Sequence, residues 1–246
     1  MNWKLKIRDA IYRNFGLMIY QKKPFGQDPF HDIKRSFTDY PFHIFFDVGA
    51  NIGQTVTDII AVFPTSQIWC FEPIQKTFEV LKERTAGQNV NHHKIALGSE
   101  NMETEIFVDK HNLWSDMTSI VNAKTTDPDN LVPEQVTIEK LDDFCLNHEI
   151  QTIDYLKIDT EGYDLEVLKG SVQMLEKQMI AFVEVEVSMN PENTFHVDFV
   201  MIKKFMENLG YRLFGLYGQM HEWPTGTPIL RRTNPLFVSA KVLDTI

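Results

Sequence analysis

The segment that most constrains this chain runs from Phe45 to Gln54, where an apolar strand leads through a turn of small residues into a helix. Gly49, Asn51 and Gly53 occupy the turn. In open α/β folds such a unit places the backbone amides of a helix N-terminus beside a ligand. The segment therefore predicts an α/β domain with a small-molecule site at this turn.

Each small residue of the turn has its own expected role. Gly49 lets the chain turn tightly against a ligand, and Gly53 lets the helix pack closely on the strand. Asn51 stands where many such loops have glycine, and asparagine tolerates the left-handed backbone region better than most residues. The spacing does not fit the G-x-G-x-x-G of dinucleotide sites, which favours S-adenosylmethionine over NAD. A turn that serves packing alone is the alternative interpretation.

A second candidate ligand residue, Glu72, follows the strand predicted over Gln67 to Phe71. It lies about 20 residues beyond the turn, where an acid accepts hydrogen bonds from both ribose hydroxyls of a nucleoside. Pro73 then ends the strand. An exposed glutamate that caps the next helix is the alternative, but the pairing with the upstream turn favours a binding role.

Strands and helices alternate along the chain, as is typical of parallel βαβ units. We predict strands over His43 to Val48, Gln67 to Phe71, Asn91 to Ala96, Ile153 to Ile158 and Ile180 to Val187. We predict helices over Gly53 to Val62, over Gln75 to Ala86, after Leu141, near Asp164 and over Val197 to Leu209. A hairpin-like element is expected around Glu105 to Val108, a short strand over Val136 to Ile138, and a closing antiparallel hairpin from Tyr211 to Phe214 and Leu236 to Ala240.

The chain is divided into two parts: residues 1–41, an amphipathic helix with a connector, and residues 42–246, the α/β domain. Apolar residues recur at helical spacing within the first twenty positions, with cations between them: Trp3, Ile7, Ile11, Phe15 and Met18. Docking on the protein body or on a second subunit, as in a homodimer, is the favoured interpretation, and peripheral membrane contact is the alternative. Residues 22 to 41 are rich in proline and polar residues and predict no long regular element.

Composition limits the partners and the compartment. The formal charge of −10 argues against nucleic acid as the main partner, because phosphate binding needs clustered cations. No stretch approaches the roughly 20 apolar residues of a membrane-spanning helix, and cations interrupt the first segment, which argues against a signal peptide. The two cysteines, Cys70 and Cys145, indicate a reduced, cytoplasmic protein.

Several motifs occur in a fixed order along the chain: Asp47-Val-Gly-Ala-Asn-Ile-Gly53, Phe71-Glu72-Pro73, Ala96-Leu97-Gly98, Leu141-Asp142 and Leu156-Lys-Ile-Asp-Thr-Glu-Gly-Tyr163. Together they resemble the FkbM family of methyltransferases over about residues 44 to 240. The resemblance implies a class I methyltransferase fold, a Rossmann-like, seven-stranded and mostly parallel sheet with one antiparallel strand and helices on both faces. It also implies S-adenosylmethionine as the methyl donor and O-methylation of a sugar or polyketide-like hydroxyl.

The resemblance carries binding roles to matching positions. It implies that Asp47, Gly49 and Asn51 line the methionine half of the cofactor, with Gly53 closing the motif. It implies that Glu72 holds the ribose and that Ala96 lies beside the adenine. The acceptor is not carried over, because acceptors differ within the family.

Candidate catalytic residues follow the strand Ile153 to Ile158, at the sheet edge where ligands of open α/β folds bind. Methyl transfer is an in-line displacement, and a carboxylate can assist by taking the proton of the acceptor hydroxyl. We therefore predict Asp159 or Glu161 as the base or as the group that orients the acceptor, with plain helix capping as the alternative. Glu184, which shares a strand face with Glu186, is a weaker candidate beside the acceptor, and a solvated edge is its alternative.

Other polar features leave alternatives open. The carboxylates could hold magnesium, but nothing in their spacing requires it, so no metal site is predicted. The polar stretch from Asp109 to Pro133 is a candidate acceptor lid or a surface insertion. His111, Trp114, His221 and Trp223 could stack on a sugar or could be ordinary surface residues.

The sequence thus predicts a methyltransferase that acts on a small-molecule or glycan acceptor. Two rivals remain: a catalytically silent protein that binds the cofactor or serves as a scaffold, and an NAD-dependent oxidoreductase. The turn spacing disfavours the second rival, and the acids at Asp159 and Glu161 weigh against the first.

Overall fold

A computed structural model describes residues 3–18, 20, 23–109, 131–193, 195–222 and 228–245. The helices are α1 (Trp3–Phe15), α2 (Pro29–Ser36), α3 (Gln54–Val62), α4 (Gln75–Arg84), α5 (Leu141–Asn147), α6 (Asp164–Lys169), α7 (Val172–Glu176), α8 (Phe199–Asn208) and α9 (Ala240–Leu243). The strands are β1 (Ile44–Val48), β2 (Gln67–Phe71), β3 (Val90–His93), β4 (Ala96–Leu97), β5 (Met102–Asp109), β6 (Leu131–Glu139), β7 (Ile153–Ile158), β8 (Ile180–Val185), β9 (Val187–Ser188), β10 (Tyr211–His221) and β11 (Leu230–Ser239).

The main sheet has the order β10-β11-β8-β7-β1-β2-β3, and β9 adds a short pairing to β11. The pairs from β8 through β7, β1 and β2 to β3 are parallel, while β11 runs antiparallel to both β8 and β10. The predicted fold class is therefore confirmed, with β9 as an addition, and so is the closing hairpin. Strand order reverses direction at β1, which has β2 on one side and β7 on the other, and ligands of such sheets bind at this switch point.

Both faces of the sheet are covered, because β-strand side chains alternate between the faces. Phe46 contributes to one apolar core with residues of α5, α6, α7 and α8, whereas its neighbour Phe45 contributes to a second core with residues of α2, α3, α4 and α9. Both cysteines are free and buried, one in each core. This two-sided burial explains why the central strands are apolar along nearly their whole length.

The connector predicted over residues 22 to 41 contains the two-turn helix α2. Asp28 caps it by accepting a hydrogen bond from the amide of His31, and Pro29 occupies its first turn, a position that suits proline. Phe30 and Ile33 are buried in the second core. The helix was not predicted because the segment is mostly polar, although this apolar pair packs it against the sheet.

The third predicted strand, Asn91 to Ala96, is two strands in two sheets. β3 ends where His93 pairs with Phe71, and Ala96 pairs in parallel with Ile138 in a separate sheet of order β4-β6-β5. β5 and β6 pair antiparallel, so the hairpin-like element is confirmed and is longer than predicted. The proposed lid is mostly in residues 110–130, outside the described residues, as are His111, Trp114 and Trp223.

The first helix, α1, has several exposed large apolar side chains, among them Trp3, Ile7 and Phe15. The predicted docking on the protein's own body is therefore not seen among the described residues. Within the part of the chain that the structure describes, no helix has the length and apolar character to cross a membrane.

Candidate functional site

A cavity of about 430 Å³ opens at the carboxyl ends of β1, β2 and β7. One wall, which we call the loop wall, consists of residues 48–51 at the end of β1 and residues 72–74, 76 and 77 after β2. A second wall, which we call the charged wall, consists of Lys157, Asp159, Glu161, Glu186 and Arg232. Ala96, Leu97, Ile106 and Val108 of the small sheet supply an apolar surface. The cavity thus joins a turn rich in backbone amides to a group of charged side chains.

The turn after β1 has the backbone that its small residues predict. Gly49, Asn51 and Gly53 all have positive φ, at 79°, 47° and 83°. A Cβ on Gly49 would lie 2.0 Å from the carbonyl oxygen of Asp159, so only glycine allows β1 and β7 to approach this closely. Gly53 does not line the cavity. It begins α3, and a Cβ there would lie 3.0 Å from Leu81, so its close packing is against α4 rather than against a strand.

Glu72 connects the two loops of the loop wall. Its carboxylate accepts hydrogen bonds from the amide of Asn51 at 3.0 Å, from the amide of Ile74 at 3.0 Å and from Thr77 Oγ1 at 2.8 Å. The side chain is buried, and burial raises its pKa. It is therefore not the exposed cap of the alternative interpretation. A carboxylate offers about four acceptor positions, so one remains for a ligand in the cavity.

Asp47 and Ala96 differ in their position relative to the cavity. Asp47 is fully buried beneath the turn and is not part of the cavity surface. Burial raises its pKa to about 6, although the nearby Lys157 acts in the opposite direction. Ala96 lines the cavity.

The loop after β7 presents two acids to the cavity. Lys157 Nζ donates to Asp159 at 2.8 Å; burial raises the pKa of Asp159, but Lys157 outweighs it and holds that pKa below its ordinary value. Burial raises the pKa of Glu161, and the neighbouring acids add to the rise. Asp164 accepts hydrogen bonds from two amides of the loop, so it shapes the turn. Among the described hydrogen bonds, neither Asp159 nor Glu161 caps α6.

A buried histidine lies behind Glu161. His196 Nε2 is 2.8 Å from Glu186 Oε2 and 3.5 Å from Glu161 Oε2, and Arg232 pairs with the other oxygen of Glu186. Burial lowers the pKa of His196, but the two carboxylates outweigh burial and raise it to about 9. The charged wall is therefore a network of paired charges.

Glu161, Glu186 and His196 each offer one ligand atom within 4.8 Å of the others, a set that could hold a cation. The other ring nitrogen of His196 faces the side-chain amide nitrogen of Asn193 at 3.2 Å, while Asn193 Oδ1 accepts from the amide of Phe195. The same three groups also pair with one another, since a histidine whose pKa is raised to about 9 carries a positive charge between the two carboxylates, so we interpret the group as an ionic network.

The structure separates the two acids predicted on one face of β8. Glu184 is buried opposite Lys157 in the sheet and accepts a hydrogen bond from Tyr155 at 2.6 Å, outside the cavity surface. It is therefore not a solvated edge. The strand ends at Val185, and Glu186 lines the cavity instead.

Four members of this network lie outside the candidate list drawn from the sequence: Lys157, Glu186, His196 and Arg232. Lys157 could have been identified from the sequence, since it interrupts an apolar strand just before Asp159. The alternation of Glu186 with valines was a weaker indication of a functional role. No sequence pattern indicated His196 or Arg232, because only the folded chain brings their segments close to β7.

Comparisons with known proteins agree with this architecture. A model of the methyltransferase FkbM domain matches residues 47–213. Hexuronic acid methyltransferase AglP of Haloferax volcanii is 24% identical over 152 residues, which cover 61% of this chain and 59% of that protein. The 2-O-methyltransferase NoeI of Sinorhizobium fredii is 22% identical over 177 residues, which cover 66% of this chain and 71% of NoeI.

The chain therefore spans less than two thirds of the length of AglP. Among solved structures, the methyltransferase FkbM from Methylobacillus flagellatus has a TM-score of 0.53 at 17% identity, covering 86% of this chain and 48% of that one. This likeness shows the shared fold. Because the family model covers more than half of the chain, from β1 to β10, this protein belongs to the FkbM methyltransferase family.

Proposed function

We propose that this protein transfers the methyl group of S-adenosylmethionine to a hydroxyl oxygen of a sugar or glycan. S-adenosylmethionine is the methyl donor. The observation that carries the proposal is one cavity lined both by a glycine turn with the buried Glu72 and by two acids, Asp159 and Glu161. The names of the relatives, a hexuronic acid methyltransferase and a 2-O-methyltransferase, support a carbohydrate acceptor.

The loop wall is the proposed cofactor site. The turn at Gly49 and Asn51 would hold the methionine portion, and Glu72 would use its one remaining acceptor position for a ribose hydroxyl. The adenine would lie against the apolar surface at Ala96. Asp47 would act from beneath the turn and Gly53 from the start of α3, each by supporting the loop rather than by lining the cavity.

The charged wall is the proposed acceptor site. S-adenosylmethionine held by the loop wall would supply an activated methyl group, and transfer of that methyl group to the acceptor oxygen would break its carbon–sulfur bond and leave a neutral sulfide. The hydroxyl proton passes to a carboxylate of the wall. Glu161 suits this role because its pKa is raised, whereas Asp159, held ionised by Lys157, suits the orientation of the acceptor. Glu184 would act only indirectly, through Lys157 and the sheet.

The cofactor assignment is tested by isothermal titration. Micromolar binding of S-adenosylmethionine and of its demethylated product, with no binding of NAD, is the expected result. Binding of NAD without binding of S-adenosylmethionine would contradict the proposal and favour an NAD-dependent oxidoreductase.

The reaction is tested with methyl-labelled donor and a panel of oligosaccharides with and without a hexuronic acid. Label in a carbohydrate product, at a rate unchanged by EDTA, is expected. We expect Glu161→Gln to lower turnover more than Asp159→Asn, with donor binding retained in both. Donor binding without label in any acceptor would favour the silent scaffold, and wild-type turnover in both variants would remove these acids from the mechanism.

A further inference from the structure

The segment around α1 differs from the rest of the molecule in charge. Residues 1–25 contain six lysines or arginines and one acid, a formal charge of +5, so the other residues carry −15. The cations on α1 whose side chains are described, Lys6, Arg8 and Arg13, are exposed. A cationic segment on an acidic protein is attracted to anionic surfaces while the remainder is repelled.

The same segment concentrates the exposed apolar side chains. Of the sixteen large hydrophobic residues exposed in the described chain, eight lie between positions 3 and 25: Trp3, Ile7, Tyr12, Phe15, Leu17, Met18, Tyr20 and Phe25. Trp3 is 66% exposed and Phe15 is 73% exposed. Side chains of this size remain in water only at a cost of about 1.5–3 kcal/mol each relative to burial. An apolar phase that also attracts cations would therefore stabilise this segment.

We propose that α1 docks the protein on an anionic lipid surface, lying in the interface with its aromatic and aliphatic side chains among the acyl chains. The 13-residue helix is about 20 Å long, too short to span a bilayer but suited to lie along it. Cations between the apolar residues would contact the lipid headgroups. The inference concerns a surface separate from the cavity and stands independently of the proposed reaction.

A second copy of the chain fits these observations less well. Two copies of residues 1–25 brought together would place a charge of +5 against an equal charge. The acidic body of another copy would attract the cations, but it would leave the exposed aromatic side chains without an apolar phase. Lipid satisfies both the charge and the apolar surface.

Co-sedimentation of the full chain with vesicles tests the proposal. Vesicles of phosphatidylcholine with about one third phosphatidylglycerol should bind the protein at least fivefold more strongly than phosphatidylcholine alone, and added salt should reduce the difference. Lys6→Glu and Arg13→Glu should each weaken binding about fivefold or more, and Trp3→Ser with Phe15→Ser should reduce it at least tenfold.

Matched controls separate docking from folding. Leu146→Ser removes an equally exposed apolar residue of α5 and should leave vesicle binding unchanged, and S-adenosylmethionine binding should be the same in every variant. Equal binding to both kinds of vesicle, or to neither, would overturn the proposal. So would a lipid-free dimer, measured by light scattering, that the Trp3 and Phe15 substitutions dissociate.

Discussion

The two walls of the cavity are built in different ways. The loop wall is made of backbone: the amides of Gly49 and Ala50 both donate to the carbonyl of Phe71, and Glu72 ties the two loops together. The charged wall is made of side chains that neutralise one another, with Lys157 on Asp159 as its central pair. A backbone site tolerates few substitutions at its glycines, whereas a side-chain network depends on the balance of its charges.

Gly49 should show the largest effect, because it joins the two walls. We expect Gly49→Ala to lower S-adenosylmethionine affinity at least ~100-fold by isothermal titration, since the added Cβ would meet the Asp159 carbonyl at 2.0 Å and force the strands apart.

Gly87 is a matched control with the same φ of 79° and no atom within 4 Å of an added Cβ. Gly87→Ala shares the strained backbone but lacks the collision, so its affinity should stay near wild type. If the two variants bound the cofactor equally well, the close approach of β1 to β7 would not be what forms the site.

Lys157 tests the charge balance of the other wall. Lys157→Met should lower the free energy of unfolding by about 3 kcal/mol, because it leaves Asp159 and the buried Asp47 and Glu184 without their common cation. Chemical denaturation measures the change. Lys169→Met removes an exposed pair with Glu166 and should cost less than about 1 kcal/mol. An equal loss of unfolding free energy in the two lysine variants would mean that the buried network stabilises the protein no more than an exposed ion pair does.

The same contrast explains what could be predicted from the sequence. The loop wall comes from two short contiguous segments, so Gly49, Asn51 and Glu72 could be identified from residue type and spacing. The parallel sheet followed from apolar runs bounded by turns. Glycine and asparagine also report directly on backbone conformation, which is local information.

The charged wall lacks such local information. Glu186, His196 and Arg232 come from segments that meet only after β8, β9 and β11 have paired, and a lone histidine or arginine does not indicate its partners. The break between β3 and β4 escaped prediction for a similar reason. The local sequence predicts one strand through His93 and Ala96. Ala96 belongs to a different sheet because it pairs with Ile138, which lies more than forty residues later in the chain.

Glu72 should show an intermediate effect, restricted to the loop wall. In Glu72→Gln one oxygen becomes an amide nitrogen, which cannot accept from Asn51 or a ribose hydroxyl, so we expect a 10- to 50-fold (about 1.4–2.3 kcal/mol) loss of S-adenosylmethionine affinity. Glu79→Gln, an exposed acid on α4, is the control for isothermal titration. A loss of acceptor turnover with unchanged donor affinity would instead place Glu72 with the acceptor.

Two histidines extend the comparison to pH. His196 lies among carboxylates, whereas His93 lies in an aromatic cluster, with its ring stacked on Trp69 at 5.4 Å and on Phe71 at 5.5 Å. Burial lowers the pKa of His93 to about 4, with His148 adding to the effect. The folded pKa is below the value of about 6.5 in the unfolded chain. Between pH 6.5 and 4 the unfolded chain therefore binds more protons, and stability falls as the pH falls.

This effect should be the smallest, about 1–2 kcal/mol between pH 6.5 and 4, because solvent around the half-buried ring reduces the full effect of the pKa shift. His93→Gln should lower stability at neutral pH, because it removes the stacking, but it should flatten the decline of unfolding free energy toward acid. His43→Gln, at an exposed histidine near β1, should retain the wild-type slope. Denaturation curves at several pH values measure both slopes. A His93→Gln slope as steep as that of wild type would mean that the aromatic cluster accepts a charged imidazole, and the distinction between the neutral histidine of this cluster and the charged histidine of the charged wall would fail.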